Sequence, residues 1–215
     1  MSKIYLIPGL GADCRIYQHI DLQGYDVVNV NWIEPDDKDT LSTYAQKLID
    51  HYSIVPQSIV IGNSLGGMLT IEIAKKVELN KAILISSIKT VEEAPLSFKW
   101  YKYLPLYRLL PKEWLPSMGL VVRKVMGKMS KHHQELFTSM LKSTSPTFVK
   151  WALGAILDWD NQIIPKNVYH ITGDKDKIFP YKRIKGATIV KGGTHIMIFN
   201  KAKHINNLLK EILEN

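Results

Sequence analysis

Gly62-Asn63-Ser64-Leu65-Gly66 is a G-x-S-x-G run in a chain of 215 residues. Its setting gives it meaning. The apolar stretch Ser58–Ile61 precedes it and the helix-like apolar stretch Leu65–Val77 follows it. A serine at such a strand–turn–helix junction is presented as an exposed nucleophile. The turn is tight. Two residues to either side of the serine the chain approaches itself, and only glycine avoids a clash there. The bland alternative is a glycine-rich turn that starts a helix, with Ser64 as its cap.

A serine hydroxyl needs a base at neutral pH, and the base needs an acid to orient it. Of seven histidines, His195 stands out. It ends Gly192-Gly193-Thr194-His195, between the last apolar strand and the last amphipathic helix. His19, His51 and His204 fall on predicted helices, and His170 falls within a strand. His132 and His133 lie in a basic segment, without companion ligands at a metal-binding spacing, and read as a solvated pair. The acid candidates are Asp174 and Asp176 in Gly173-Asp174-Lys175-Asp176-Lys177-Ile178-Phe179-Pro180. Spacing alone does not choose between them, and Asp158 and Asp160 are weaker alternatives. Acyl transfer also needs N–H groups aimed at the developing oxyanion. Leu65, just after the serine, supplies one. The loop Pro8-Gly9-Leu10-Gly11 is expected to supply the other, because its glycines let backbone approach a ligand.

These residues need a scaffold. Lys3–Ile7, Val27–Asn31, Ser58–Ile61, Ala82–Ile85, Val168–Thr172 and Ala187–Val190 are short apolar runs bounded by turn residues, and read as strands. Thr40–Tyr52, Leu65–Val77 and Lys201–Leu213 carry helical periodicity. Strands that alternate with helices and are apolar throughout argue for a parallel sheet covered on both faces. Residues 92–160 differ. They hold no clear strand, their helical stretches are interrupted by Pro95, Pro105, Pro111, Pro116 and Pro146, and aromatics are frequent.

In these features the chain resembles the α/β-hydrolase superfamily. The order Ser64, then Asp174 or Asp176, then His195 is that superfamily's nucleophile–acid–histidine order. The likeness covers residues 1–91 and 161–215, with 92–160 in the place of the superfamily's helical cap. It implies an α/β fold: a mainly parallel six-stranded sheet in the order 2-1-3-4-5-6, flanked by helices. Lys3–Ile7 would be the superfamily's third strand, the first two being absent. Gly173, Asp176 and Pro180 match a family run of the form Gly-x-x-Asp-x-x-x-Pro, which favours Asp176. Pro8-Gly9-Leu10-Gly11 is similar to the family's oxyanion loop, with proline where a histidine is usual, and this makes Leu10 the expected donor.

The resemblance implies a serine hydrolase cleaving a carboxylic ester through an acyl-enzyme on Ser64. A thioesterase or lyase with the same residues, or a non-hydrolytic ligand-binding protein of the same fold, are the alternatives. No cofactor and no metal are expected. The expected partner is a small ester with an apolar part; aromatics of 92–160 that face the serine would line its pocket, and the plainer reading is that most of them only pack the cap's own helices onto the sheet. The net charge of +8 is concentrated in residues 89–150, with eleven Lys/Arg against four acids. A solvated basic face is the plain reading. An anionic substrate or an anionic membrane surface are alternatives to it. No nucleic-acid motif accompanies the charge. With 46% apolar and 22% charged residues the composition is globular. The single cysteine, Cys14, excludes an internal disulfide and a cysteine-based zinc site. No apolar run approaches membrane-spanning length, and the short run before Pro8-Gly9 reads as a strand rather than a signal peptide. A cytoplasmic location is expected.

Overall fold

The computed structural model describes residues 3–98, 127 and 129–214. Six strands form one sheet in the order β2-β1-β3-β4-β5-β6. They are β1 (Lys3–Ile7), β2 (Asp26–Asn29), β3 (Ile59–Asn63), β4 (Lys81–Ile85), β5 (Val168–Gly173) and β6 (Thr188–Val190). Every pairing among the described residues is parallel, in the expected strand order. The central strands β3 and β4 are buried along their full length. That burial explains why they read as unbroken apolar runs.

Helix α1 (Leu41–Tyr52) starts at Thr40, whose side chain accepts from the Thr43 N–H while Thr43 answers the Thr40 N–H. Its Leu41, Tyr44, Ala45 and Leu48 face the core. Helix α2 (Leu65–Ala74) is buried on nearly all sides, from Leu65 to Ile73. It stops short of the expected Val77. The Lys75 ammonium is held by Glu72 and Asn161 at 3.0 and 2.9 Å, and the chain turns toward Leu79 and β4. The expected second strand also ends early. The Asn31 N–H donates to the Tyr52 hydroxyl at 2.8 Å instead of to a neighbouring strand.

Between β4 and β5 lie α3 (Lys131–Ser143) and α4 (Pro146–Asp158). Pro146 opens α4 rather than interrupting it, since its missing N–H falls among the unpartnered donors of a first turn. The described aromatics of this segment pack into the body. Phe148 stacks on Trp32 at 4.6 Å, and Trp151 lies 4.5 Å from Tyr44. Trp100, Tyr101, Tyr103, Tyr107 and Trp114 lie outside the described residues, as do Pro105, Pro111, Pro116 and Glu113. So do Lys99, Lys102, Arg108, Lys112, Arg123, Lys124 and Lys128. Lys89 is a correction to the basic-face reading: it is 5% exposed and belongs to the interior. The chain closes through α5 (Met197–Asn200) and α6 (Ala202–Glu214). The sequence suggested only the second, because the break at Lys201 interrupts no apolar periodicity. His19 is not helical either; it follows the 3-10 turn Cys14–Tyr17.

Phe148 anchors α4 in the core shared with the sheet, where it is 1% exposed. Phe148→Ala is therefore expected to destabilise the whole chain by about 3–5 kcal/mol and lower one cooperative melt by roughly 10 °C. Calorimetry checks this. A separate early transition, with the main melt unmoved, would show α4 to be an independent unit.

Candidate active site

Three glycines permit the turn between β3 and α2. A Cβ on Gly62 would meet the Gly66 carbonyl oxygen at 2.2 Å, and one on Gly66 would meet the Ile7 carbonyl oxygen at 2.1 Å. A Cβ on Gly67 would strike the Ser87 side chain at 2.5 Å. Between them Ser64 takes φ 52° and ψ −117°, a strained conformation for a residue with a Cβ. Ser64 stands at the N-cap of α2, yet its side chain caps nothing there. The hydroxyl is turned elsewhere, against the reading of Ser64 as a cap.

It reaches His195, with Ser64 Oγ 2.9 Å from His195 Nε2. The other ring nitrogen, Nδ1, lies 2.9 Å from Asp176 Oδ2. A carboxylate oxygen only accepts, so Nδ1–H donates to Asp176 and Nε2 is left to accept the serine proton. Asp176 is held in turn. Its Oδ1 accepts from the N–H groups of Ile178 and Phe179 at 2.8 and 2.9 Å. Asp176 and His195 are 5% and 3% exposed, so water competes little for these bonds. The Phe179 ring stands edge-on to His195 with centroids 5.5 Å apart.

Spacing alone left two aspartates open and the family resemblance favoured Asp176; the fold uses the two differently. Asp174 points away from His195 and accepts the Gly192 N–H at 2.6 Å. With Lys175 N–H donating to Gly193 O at 2.8 Å, it fastens the histidine loop to the acid loop. The approach is close: a Cβ on Gly173 would lie 2.2 Å from the Gly193 carbonyl oxygen. Asp158 and Asp160 are exposed at the far end of α4 and are not brought to His195.

Leu65 is the first residue of α2, so its N–H has no acceptor within the helix. The loop after β1 runs beside the serine: a Cβ on Gly9 would lie 3.2 Å from Ser64 Cβ. Leu10 follows at once. Two residues that sequence reasoning passed over fix this loop. The Tyr17 hydroxyl donates to Ile7 O at 2.7 Å, and Trp32 Nε1 donates to Ala12 O at 2.8 Å. Aromatics carrying polar tips, close to a Gly-rich loop, are the signal that could have found them.

A cavity of about 810 Å³ between residues 35–42, α2 and α4 is not lined by Ser64, Asp176 or His195. A second, of about 300 Å³, is not lined by those three residues either. Ile88, Phe98, Ile156 and Trp159 are among its walls. Phe98 packs on Phe179 at 6.1 Å, and so connects it to the His195 ring. His132 and His133 are not simply a solvated pair. The His133 ring stacks on Phe199 at 4.7 Å, and its Nε2 lies 3.3 Å from that of His19. Among the described residues no group of three or more His, Cys, Asp or Glu side chains is arranged to hold a metal ion. Nor is any described helix long and apolar enough to cross a membrane.

Residues 4–207 match the model of a family described as the alpha/beta hydrolase family. No curated protein matches in sequence. Solved structures are similar at low identity. An esterase from Thermogutta terrifontis shares 14% identity at a TM-score of 0.77, with 100% of this chain and 90% of that one covered. An esterase from Exiguobacterium antarcticum shares 15% at 0.79, covering 100% and 92%. A hydrolase from Pseudomonas aeruginosa shares 15% at 0.81, covering 100% and 90%.

His170, buried in β5, is held neutral. Burial, then the Lys89 ammonium beside it, push its pKa down to about 3, against the pull of the Ser87 carbonyl and Asp176. An unfolded chain takes up that proton near the ordinary value of 6.5. The native state therefore keeps the stability linked to His170 above pH 6.5 and loses it as pH falls toward 3. The slope is up to about 1.4 kcal/mol per pH unit. Besides Lys89 and Asp176, Glu93 faces this group through Lys89. Melting curves of wild type and His170→Gln are expected to converge on acidification within that window. Parallel curves would contradict the assignment.

Proposed function

The chain belongs to the alpha/beta hydrolase family, and on that premise we propose that it is a serine hydrolase acting on carboxylic esters. One observation carries the reading. Ser64, His195 and Asp176, from three separate loops at the carboxyl edge of the sheet, are joined by two 2.9 Å hydrogen bonds. Ser64 Oγ attacks the ester carbonyl carbon while His195 Nε2 takes the serine proton. Asp176 holds the Nδ1–H tautomer and offsets the imidazolium charge. The N–H groups of Leu65 and Leu10 receive the developing oxyanion. His195 then gives its proton to the leaving alkoxide, which departs as the alcohol. A water molecule, deprotonated by His195, cleaves the acyl-enzyme and frees the carboxylic acid and Ser64. No step calls for a cofactor.

Phe98, packed on the Phe179 ring that stands edge-on to His195, supports a substrate with an apolar part. Both esterases reported above share this fold at low identity, which is consistent with ester hydrolysis without selecting it. Thioester cleavage would use the same residues. Paired oxygen and sulfur esters of one acyl chain separate the two.

The test uses p-nitrophenyl esters of graded chain length. Ser64→Ala and His195→Ala are expected to lose turnover. Asp176→Asn is expected to lose about 10³–10⁴-fold in kcat, because the wrong histidine tautomer is favoured. Asp174→Asn is expected to keep most of it. Turnover that persists in Ser64→Ala, or a larger loss in Asp174→Asn than in Asp176→Asn, would overturn the mechanism. A folded wild-type protein that turns over no ester or thioester while binding apolar ligands would favour the binding-protein alternative.

A further inference from the structure

Behind Ser64 lies a buried polar chain that the mechanism does not use. It begins at Glu93, 5% exposed, whose carboxylate accepts from the Lys89 N–H at 2.8 Å and the Lys185 N–H at 3.2 Å. The same carboxylate pairs with Lys89 Nζ at 2.8 Å. The Lys89 ammonium has three donors and three acceptors: Glu93, the Lys185 carbonyl at 2.7 Å and His170 Nδ1 at 3.1 Å. An ammonium cannot accept, so His170 Nδ1 is the acceptor and the ring proton sits on Nε2. That Nε2–H donates to the Ser87 carbonyl at 3.0 Å. The Ser87 hydroxyl then donates to the carbonyl of Ser64 at 2.7 Å.

A buried Lys–Glu pair is costly to desolvate and is weak evidence for stability alone. Here every donor of the ammonium is used, and the chain of bonds ends on the strained residue of the turn. Ser87 reaches that carbonyl because Ser86, at φ 50°, turns the chain back after β4. Gly67 leaves no Cβ in its way. The Ser64 carbonyl also accepts from the Gly67 N–H at 2.9 Å. Ser87 therefore grips the turn from the loop after the neighbouring strand β4, outside the turn's own strand and helix.

We propose that Ser87 and His170 are positioning residues for Ser64, with Lys89 and Glu93 fixing the His170 tautomer that holds Ser87 in place. This rests on Ser64 being the nucleophile. The bonds orient the turn, and through it the hydroxyl, toward His195. Neither residue meets the substrate.

The test compares Ser87→Ala, His170→Leu and His170→Gln in the full chain. Glutamine offers an amide donor for Ser87 and an oxygen acceptor for Lys89; leucine offers neither. Two readouts are used: the rate of Ser64 modification by a fluorophosphonate probe, and amide hydrogen exchange of the segment 62–68, each set against the melting temperature. Ser87→Ala is expected to react about tenfold more slowly than wild type, with local exchange raised and the melt nearly unmoved. His170→Leu is expected to slow the reaction likewise, with a lowered melt because the Lys89 ammonium loses an acceptor, and His170→Gln to recover most of the rate. His170→Leu that fails to fold leaves Ser87→Ala to decide. Wild-type rates and exchange in Ser87→Ala would overturn the proposal. So would slowing that merely tracks a lower melting temperature, with exchange raised evenly across the sheet. If wild-type protein takes up no probe, the nucleophile assignment fails, and exchange at 62–68 alone decides whether Ser87 holds the turn.

Discussion

The structure turns on the backbone of Ser64. A side-chain-bearing residue at φ 52° costs on the order of 1–3 kcal/mol, and it persists only where its surroundings leave no alternative. Those surroundings are specific. The Ser64 N–H is tied to Ile85 O at the end of β4, and its carbonyl to Gly67 and Ser87. Gly62 and Gly66 let β3, α2 and the end of β1 approach to distances that no Cβ would allow. Remove the strain and the serine becomes an ordinary helix cap, with its hydroxyl turned to the helix instead of to His195.

The parallel sheet makes this convergence unavoidable. All six strands end at the same edge, so the loops after β1, β3, β4, β5 and β6 meet there. Each loop brings a different element: Gly9-Leu10, Ser64, Ser87, Asp176 and His195. None is close to another in sequence, and none depends on a long flexible side chain. The geometry is set by strand register and by glycines that permit close approach. This placement of ligand sites at the carboxyl ends of strands is a general property of open α/β sheets.

Much of the fold was legible, for a physical reason. Strands buried on both faces must be apolar throughout, and helices between them must be periodic, so β3, β4, β5, α1 and α6 announce themselves. Ends were less legible because no periodicity marks them: β2 ends just before the Asn31 N–H turns to the Tyr52 hydroxyl, and α2 just before Lys75 meets Glu72 and Asn161. Ser64 and His195 were legible because glycines flank both. Asp174 and Asp176 were separated only by the family resemblance, which favoured Asp176. What distinguishes them is that Gly192 claims one while Ile178 and Phe179 aim the other at His195. Lys89, Glu93 and His170 were invisible as a unit. A lysine in a basic segment looks solvated until Glu93, Lys185 and a β5 histidine fold around it.

The central claim is that the hydrogen-bonded chain from Ser64 through His195 to Asp176 is assembled before any substrate arrives. Proton NMR of the free protein in water tests it most directly. The account predicts one strongly deshielded imidazole N–H resonance, from the His195 Nδ1 proton shared with the Asp176 carboxylate. It should vanish in Asp176→Asn and survive in Asp174→Asn. Absence of that resonance in the folded wild-type protein, or its persistence in Asp176→Asn, would contradict the account.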